Sequence, residues 1–190
     1  MNNSYGIPTM YRGRRYRSRL EARWAAFFTL MDWRFEYEPY DLPGWIPDFV
    51  LYGDEEILVE VKPYSSLHEY DTGKIERAIS GSYKDGREVL LLGSSIFDAD
   101  CWQTDRNSNA ASIGWLGEYW PDSGTYDFDT AVMNHYLQKY GFFHNTGYWK
   151  DRMTGLYDGD RYLSLLSLWE VEQLWNLAGN SVQWKVREAA

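Results

Sequence analysis

The stretch Ile46-Pro-Asp-Phe-Val-Leu-Tyr-Gly-Asp-Glu-Glu-Ile-Leu-Val-Glu-Val-Lys62 has the pattern of a β-hairpin. Two strand-like runs, over residues 47–52 and 56–62, flank a Gly-Asp-Glu segment that predicts the turn. With the turn centred on Asp54, antiparallel pairing places Asp48 opposite Glu60, because the two residue numbers are equally distant from 54. Side chains opposite each other in such a pair point to the same side of the sheet. The hairpin therefore predicts two neighbouring carboxylates.

A lysine lies on the same face as the two carboxylates. Lys62 shares the face of Glu60, whereas Val59 and Val61 point the other way into the core, since side chains alternate along a strand. Opposed carboxylates repel each other and drive one of them toward protonation, and a divalent cation removes that conflict. Hard oxygen ligands suit Mg²⁺ or Mn²⁺, which lower the pKa of a bound water and stabilise charge on a phosphate oxygen. Lys62 is placed to orient a nucleophilic water or to stabilise a transition state.

Further elements are predicted on both sides of the hairpin. Ser18 is a good N-cap for a helix over residues 19–32, and residues 34–39 alternate as a strand. A helix over residues 72–84 and a buried strand over 88–93 follow. Helical periodicity returns over residues 127–140 and 162–178, and Gly179 is a candidate C-cap.

These elements predict an α/β protein in two parts. Residues 1–98 form a core with a mixed central sheet flanked by helices, preceded by a basic arm. Residues 99–190 form an aromatic-rich, mostly helical C-terminal extension, which serves packing or dimerisation and has no linker that would set it apart as a domain. The high aromatic share of 18% suits both core packing and interfaces.

Pro47-Asp48 followed by Glu60-Val61-Lys62 resembles the PD-(D/E)XK signature of a large nuclease superfamily, which includes restriction enzymes, resolvases and phage nucleases. The segment at residues 16–28, with Tyr37-Glu-Pro39 and Ile46-Pro-Asp-Phe49, is similar to small phage and actinobacterial members. The resemblance covers residues 11–98 and implies a restriction-endonuclease-like core.

The resemblance implies a role for each residue of the motif. Asp48 and Glu60 would bind the metal together with the backbone carbonyl of Val61. Glu21, on the first predicted helix, would act through a metal-bound water, and Lys62 would assist the nucleophile. The expected activity is Mg²⁺- or Mn²⁺-dependent hydrolysis of DNA phosphodiester bonds by an endonuclease.

Charge is unevenly distributed along the chain. The net charge is −9, but residues 1–24 carry six arginines against one acid, a balance of +5 that leaves −14 for the remainder. A basic arm on an acidic body can still contact phosphates locally. The expected nucleic-acid contacts are Arg12, Arg14, Arg15, Arg17, Arg19 and, from the second helix, Lys74.

Structural alternatives exist for the same residues. Ser18-x-x-Glu21 also fits a capping box, and Glu60 with Lys62 also fits an exposed, salt-bridged strand face. For the whole protein, the alternatives are a catalytically silent nuclease-fold protein that binds a phage or host protein, and a subunit of a larger DNA-processing complex. The balance of −14 beyond residue 24 favours a protein partner.

Location and assembly follow from simpler features. The single cysteine, Cys101, fits a reducing compartment, and the sequence shows neither a secretion signal nor an apolar run of the roughly 18–20 residues that span a membrane. We expect a cytoplasmic protein of a bacterial or phage-infected cell, with no membrane contact. Cleavage of both DNA strands needs two active sites, which favours a homodimer joined through the C-terminal half.

Overall fold

The computed structural model describes residues 6–101, 109–147, 149–157 and 164–183. The α-helices in this part of the chain are α1 (Arg19–Leu30), α2 (Thr72–Ser80) and α3 (Leu168–Ser181). The first strands are β1 (Thr9–Tyr11), β2 (Arg14–Tyr16), β3 (Phe35–Tyr37), β4 (Phe49–Tyr52), β5 (Glu56–Val61) and β6 (Glu88–Leu92). They are followed by β7 (Phe97–Asp98), β8 (Ala111–Trp120), β9 (Thr125–Tyr136), β10 (Lys139–His144) and β11 (Ser164–Leu165).

One mixed sheet organises the chain. Its strands run in the order β10-β9-β8-β6-β5-β4-β3, with β7 against β8 and β11 against β9. The neighbours β5 and β6 are parallel, so the chain crosses over between them through α2, while the other neighbours on this path are antiparallel. A separate antiparallel hairpin of β1 and β2 precedes α1. The prediction of an α/β protein with a mixed sheet is confirmed.

Two apolar cores lie against the central strands, because successive side chains of a strand face opposite sides. The larger core contains Val59, Val61 and Leu90 together with apolar side chains of α1 and α3. The smaller core contains Leu58 and Leu91 together with apolar side chains of α2. Helices thus flank the sheet on both sides, and the predicted inward direction of Val59 and Val61 is confirmed.

The start of α1 matches its prediction. Ser18 is the N-cap, and its hydroxyl accepts the backbone N–H of Glu21. The helix ends at Leu30, two residues before the predicted end, and Asp32 beyond it has a φ of 57° that is incompatible with a right-handed helix.

Contacts of Trp24 and Arg23 fix α1 on the sheet and on α3. The fully buried Trp24 donates its indole N–H to the Gly93 carbonyl at 2.9 Å, and its ring centroid lies 4.3 Å from that of Trp175 in α3. Arg23 donates to the Trp175 carbonyl at 3.0 and 3.1 Å and stacks on the Trp175 ring. The N-terminus of α1 is thereby held at the sheet.

The second half of the chain differs from its prediction. Residues 127–140, predicted as a helix, lie in β9 and β10, which pair as an antiparallel hairpin. The strand β8 pairs with both β6 and β9, so strands from both sides of residue 98 share one sheet. The prediction of a mostly helical extension is wrong for the described residues, where strands β8–β11 accompany the single helix α3.

The β9–β10 turn explains this error. Leu137 and Gln138 both have positive φ values, 45° and 66°, as in the two-residue hairpin turns that Asn and Gly normally form. The pair Leu-Gln therefore gives no turn signal in the sequence. In β9 the consecutive residues Ala131, Val132 and Met133 are all buried, so the alternation typical of a half-buried strand is missing.

The helix predicted over residues 162–178 is confirmed in its second part, as α3. It begins after Ser167, which forms a reciprocal capping box with Glu170. Residues 162 and 163 lie outside the described residues. The predicted C-cap Gly179 lies within α3, and Val182 is the C-cap.

The remaining predicted elements are present with shorter bounds. The strands predicted over 34–39, 47–52, 56–62 and 88–93 are β3, β4, β5 and β6. The helix predicted over 72–84 is α2, which ends at Ser80 with Gly81 as its C-cap. Among the helices of the described ranges, none is long and apolar enough to cross a membrane.

A buried charge cluster joins the segment after β10 to the central sheet. Arg152, which is 6% exposed, donates to both carboxylate oxygens of Glu88 in β6, at 2.8 and 2.9 Å. It also donates to Glu118 in β8 at 2.8 Å. Removal of one member of a buried ion cluster costs several kcal/mol, because the other charges stay in a region of low polarity.

We expect Arg152→Met to lower the free energy of unfolding by about 3 kcal/mol, because it leaves the partly buried Glu88 and the buried Glu118 carboxylates without this cation. Urea unfolding of both proteins measures the difference. The triple variant with Glu88→Gln and Glu118→Gln should recover part of the loss. Arg87→Met is the control, since Arg87 forms ion pairs of 3.7 Å at the surface and should cost less than about 1 kcal/mol. Equal losses in the two single variants would contradict the burial argument.

Candidate functional site

The β4–β5 hairpin has the predicted register. Phe49 pairs with Val59, and the same register one residue further sets Asp48 against Glu60. Both acids are buried, with 1% and 8% of their surface exposed. Two carboxylates therefore lie at the beginning of β4 and the end of β5, where the hairpin opens toward α1 and β3.

The main chain fixes Asp48 from two sides. Its carboxylate oxygen Oδ2 accepts the Val61 N–H at 2.7 Å, and its carbonyl accepts the Glu38 N–H at 3.0 Å. These bonds connect Asp48 to β5 and to the residue after β3, so its carboxylate cannot turn away from Glu60 without losing a backbone partner.

The ammonium of Lys62 lies among three acceptor oxygens. Nζ contacts Glu60 Oε1, lies 3.5 Å from Asp48 Oδ2 and donates to the Val61 carbonyl at 3.2 Å. Burial alone would lower the pKa of Lys62, but the attraction of Asp48 and Glu60 outweighs it and raises that pKa. One cationic group thus contacts both acids and the carbonyl that the motif resemblance implies as metal ligands.

Trp45 is a site residue that the sequence analysis missed. The buried indole donates its N–H to Glu60 Oε2 at 2.9 Å and leaves Oε1 for the ammonium of Lys62. Trp45 and Glu60 are 15 residues apart and belong to different segments, so no spacing rule connects them. The nearest sequence signal is the position of Trp45 directly before Ile46-Pro-Asp.

Glu21 is placed beside the hairpin but is engaged at the helix N-terminus. Its Oε1 accepts the Ser18 hydroxyl at 2.8 Å, and its Oε2 accepts the Tyr37 hydroxyl at 2.5 Å and the Arg17 N–H at 3.1 Å. The capping box offered as an alternative is therefore present only in part: the Ser18 hydroxyl caps the Glu21 N–H at 3.1 Å, but the main-chain N–H that Glu21 accepts is that of Arg17 instead of Ser18. The link from Glu21 to Asp48 runs through Arg17, whose Nε lies 3.9 Å from Glu21 Oε2.

Arg17 is partly exposed, but its guanidinium points into the site. Its Nη2 contacts Asp48 Oδ1 and lies 2.9 Å from Glu38 Oε1. Burial lowers the pKa of Arg17, but Asp48, Glu38 and Glu21 together outweigh that effect and raise it. The sequence assigned Arg17 to phosphate contact, and the structure pairs it with carboxylates.

Most of these side chains line one open cleft of ≈ 460 Å³, whereas Glu21 is not part of its lining. Its walls include Arg17, Asp48, Glu60, Lys62 and Lys74. The predicted phosphate contact from α2 thus shares the cleft with the acids. Lys74 is exposed at the start of α2, two residues after its first residue.

The other predicted phosphate contacts lie outside this cleft lining. Arg12, Arg14 and Arg15 are exposed on the β1–β2 hairpin, and Arg19 is exposed at the first position of α1. The guanidinium of Arg14 lies 5.9 Å from the ring centroid of Tyr37. The arm therefore presents arginines to solvent beside the strand whose Tyr37 bonds Glu21.

The pKa of the Asp48 carboxyl is raised from 3.8 to about 7, first by burial and second by the repulsion of Glu60. The ammonium of Lys62 and the Val61 N–H act in the opposite direction. A carboxyl in this state favours a proton or a cation at its oxygens, and strongly shifted pKa values are a feature of functional sites.

The donor set suits a hard divalent cation that keeps several waters. Within the described residues, no group of three or more His, Cys, Asp and Glu side chains is arranged to hold a metal ion. Two carboxylates and one main-chain carbonyl converge on the Lys62 ammonium instead. Mg²⁺ is bound in proteins through one or two carboxylates plus water, so these three donors fit it.

Comparison of the chain with protein-family models, with curated proteins and with solved structures gives no match.

In a chelating buffer, we expect the stability advantage of Asp48→Asn over the wild type to be about 2 kcal/mol larger at pH 8 than at pH 5. The raised pKa means that the folded state binds a proton at Asp48 more tightly than the unfolded state does. This stabilisation is complete below the unfolded value near 3.8 and is lost as the pH rises through about 7. Asparagine stays neutral throughout.

Urea unfolding at pH 5, 6, 7 and 8 measures this dependence. Asp122→Asn is the control, since Asp122 is exposed in the turn between β8 and β9 and should follow the wild type at every pH. Parallel pH profiles for the wild type and Asp48→Asn would refute the assignment of the raised pKa to Asp48.

Proposed function

We propose that the protein is a Mg²⁺- or Mn²⁺-dependent deoxyribonuclease of the PD-(D/E)XK type that hydrolyses DNA phosphodiester bonds as an endonuclease. The observation that carries this proposal is the contact of one cationic group with Asp48, Glu60 and the Val61 carbonyl in an open cleft. The mixed sheet with helices on both sides is compatible with the restriction-endonuclease-like core that the motif implies.

Three groups would hold the metal. Asp48 and Glu60 supply carboxylate oxygens and Val61 supplies its carbonyl, while Trp45 holds the second oxygen of Glu60. Bound there, the cation would lower the pKa of a coordinated water and stabilise charge on a phosphate oxygen. Asp48 is already positioned by main-chain bonds, which reduces the reorganisation that binding needs.

Lys62 and Glu21 would act beside the metal ligands. The ammonium of Lys62 is held at the two acids, where it can donate to an attacking water or to a phosphate oxygen. Glu21 would contribute through an intervening water, because its carboxylate is already engaged by Ser18 and Tyr37. These hydrogen bonds and the role near the metal are compatible, since a carboxylate accepts several hydrogen bonds.

DNA is the proposed substrate because exposed basic residues lie on the N-terminal arm and in the cleft. Arg12, Arg14, Arg15 and Arg19 are exposed on the arm, and Lys74 lines the cleft itself. Phosphate contacts of this kind supply sequence-independent affinity that falls as salt rises. A homodimer through the C-terminal half would bring two such sites to the two strands. We place the activity in the bacterial or phage-infected cytoplasm.

The alternative is a catalytically silent nuclease-fold protein that binds a protein partner, alone or within a DNA-processing complex. The balance of −14 beyond residue 24 supports it, because an acidic body repels DNA over most of its surface. The two functions predict different results in one cleavage experiment.

We expect the purified protein to cut plasmid or linear duplex DNA with Mg²⁺ or Mn²⁺ and to be inactive with EDTA. Asp48→Ala and Lys62→Ala should each lower the cleavage rate by at least about 100-fold, because each removes a group aimed at the reacting phosphate. Gel analysis of timed digests measures the rate.

Lys139→Ala is the matched control for Lys62→Ala, since Lys139 is an exposed lysine at the start of β10 and should retain full activity. Single-stranded DNA and RNA substrates tested beside the duplex define the substrate class. A wild type that binds no metal and cuts none of these substrates would falsify the nuclease proposal and favour the protein-binding alternative.

We expect Trp45→Phe to weaken Mn²⁺ binding by about tenfold, because Glu60 loses the indole N–H that orients it while the aromatic packing is largely kept. Isothermal titration calorimetry of protein freed of metal measures the affinity. Trp33→Phe is the control, because the indole of Trp33 donates to the Tyr140 carbonyl, away from the acids. An unchanged Mn²⁺ affinity in Trp45→Phe would show that Glu60 needs no such support.

A further inference from the structure

Arg17 occupies the oxygen of Asp48 that the main chain leaves open. Oδ2 of Asp48 accepts the Val61 N–H, whereas Oδ1 is contacted by the Arg17 guanidinium. Glu38 Oε1 holds the same nitrogen at 2.9 Å. A cation that enters from the cleft therefore meets Asp48 with its available oxygen already paired.

We propose, on the basis of the nuclease function above, that Arg17 competes with the divalent metal for Asp48 and, once displaced, binds a phosphate of the DNA substrate. Arg17 thus has two alternating partners. In the free protein it neutralises the acids, and in the loaded protein it becomes a substrate-positioning residue at the cleft.

The surroundings of Arg17 allow this exchange. Its side chain is 56% exposed, whereas Asp48 is 1% exposed, so the guanidinium can leave and the carboxylate cannot. The Arg17 N–H donates to Glu21 Oε2 and to the Tyr37 hydroxyl, each at 3.1 Å. These backbone bonds hold the residue in place whichever partner its side chain takes.

Space for the displaced side chain exists on both sides of Arg17. It borders the cleft that holds the acids and also a second open cleft of ≈ 550 Å³, whose lining includes Arg15, Tyr37 and Glu38. Both clefts open to solvent. A phosphate that approaches the acids would thus pass within reach of the guanidinium.

The chemistry of arginine suits both partners. The planar guanidinium presents parallel N–H groups that match a carboxylate and a phosphate equally well. A divalent cation at Asp48 removes the attraction that keeps Arg17 there, since like charges at close range repel. Metal binding at Asp48, which readies the acids to act on a phosphodiester, therefore also frees the guanidinium of Arg17 to bind a phosphate beside them.

Mn²⁺ binding in the absence of DNA tests the competition. We expect Arg17→Ala to bind Mn²⁺ about tenfold more tightly than the wild type by calorimetry, because the metal no longer displaces a bound cation. Arg15→Ala is the matched control, because Arg15 is an exposed arginine two residues before Arg17. Its removal takes away the same charge and should change the Mn²⁺ affinity by less than about twofold. Arg17→Gln is measured alongside, and circular dichroism confirms that each variant is folded.

Duplex binding tests the second partner. In a Lys62→Met background, which suppresses cleavage, fluorescence anisotropy gives the affinity for a DNA duplex with EDTA and with Mn²⁺. Arg17→Ala should weaken binding about tenfold with Mn²⁺ and little with EDTA, because the guanidinium is held by Asp48 and Glu38 when metal is absent. Arg15→Ala should weaken binding equally in both conditions.

The outcomes separate this inference from the proposed function. Equal Mn²⁺ affinities in Arg17→Ala and Arg15→Ala overturn the competition while the nuclease proposal stands. A metal-independent effect of Arg17→Ala on duplex binding overturns the exchange of partners. If neither the wild type nor Arg17→Ala binds Mn²⁺, the metal assignment fails and the inference fails with it.

Discussion

The hydrogen bond from the Val61 N–H to the Asp48 carboxylate is the interaction on which the site depends. At 2.7 Å it ties a buried acid to the main chain of the neighbouring strand, and the Glu38 N–H holds the Asp48 carbonyl from the other side. The acid is therefore fixed next to Glu60 at the end of the β4–β5 hairpin. Two buried carboxylates on opposed positions of neighbouring strands are unfavourable unless cations accompany them. The positions of Lys62 and Arg17 are a consequence of that requirement.

The sheet and helices bring three separate segments to this point. The hairpin supplies Asp48 and Glu60, and the parallel strand β6 supports it, with the Lys62 N–H donating to the Leu92 carbonyl. Helix α1 adds Glu21 at its first turn, held at the sheet by the bond of Trp24 to Gly93. Because rigid elements carry each of these groups, their mutual positions do not depend on loop conformation.

The charge cluster around Arg152 also pairs carboxylates with a cation, but in a more buried position than the cluster at the hairpin. Arg152, 6% exposed, bonds Glu88 of β6 and Glu118 of β8 and joins the segment after β10 to the sheet. The two cations at the hairpin are 56% and 38% exposed and border an open cleft. The Arg152 cluster is the more buried of the two and supports the fold, although its side chains also line a pocket of ≈ 330 Å³. The cluster at the hairpin is more exposed, so a solvated cation or phosphate can exchange with its side chains, which is why the proposed chemistry is assigned there.

The sequence by itself determined the hairpin, its register and the shared face of Asp48, Glu60 and Lys62, because turn residues and strand alternation are local. It also determined the start of α1 at Ser18. Only the tertiary structure decided that residues 125–144 extend the sheet, since their Leu-Gln turn carries no local signal and their consecutive buried residues match a helix as well as a strand. It alone decided that the indole of Trp45 supports Glu60 and that Arg17 turns from the basic arm to the acids, because such contacts depend on how distant segments pack.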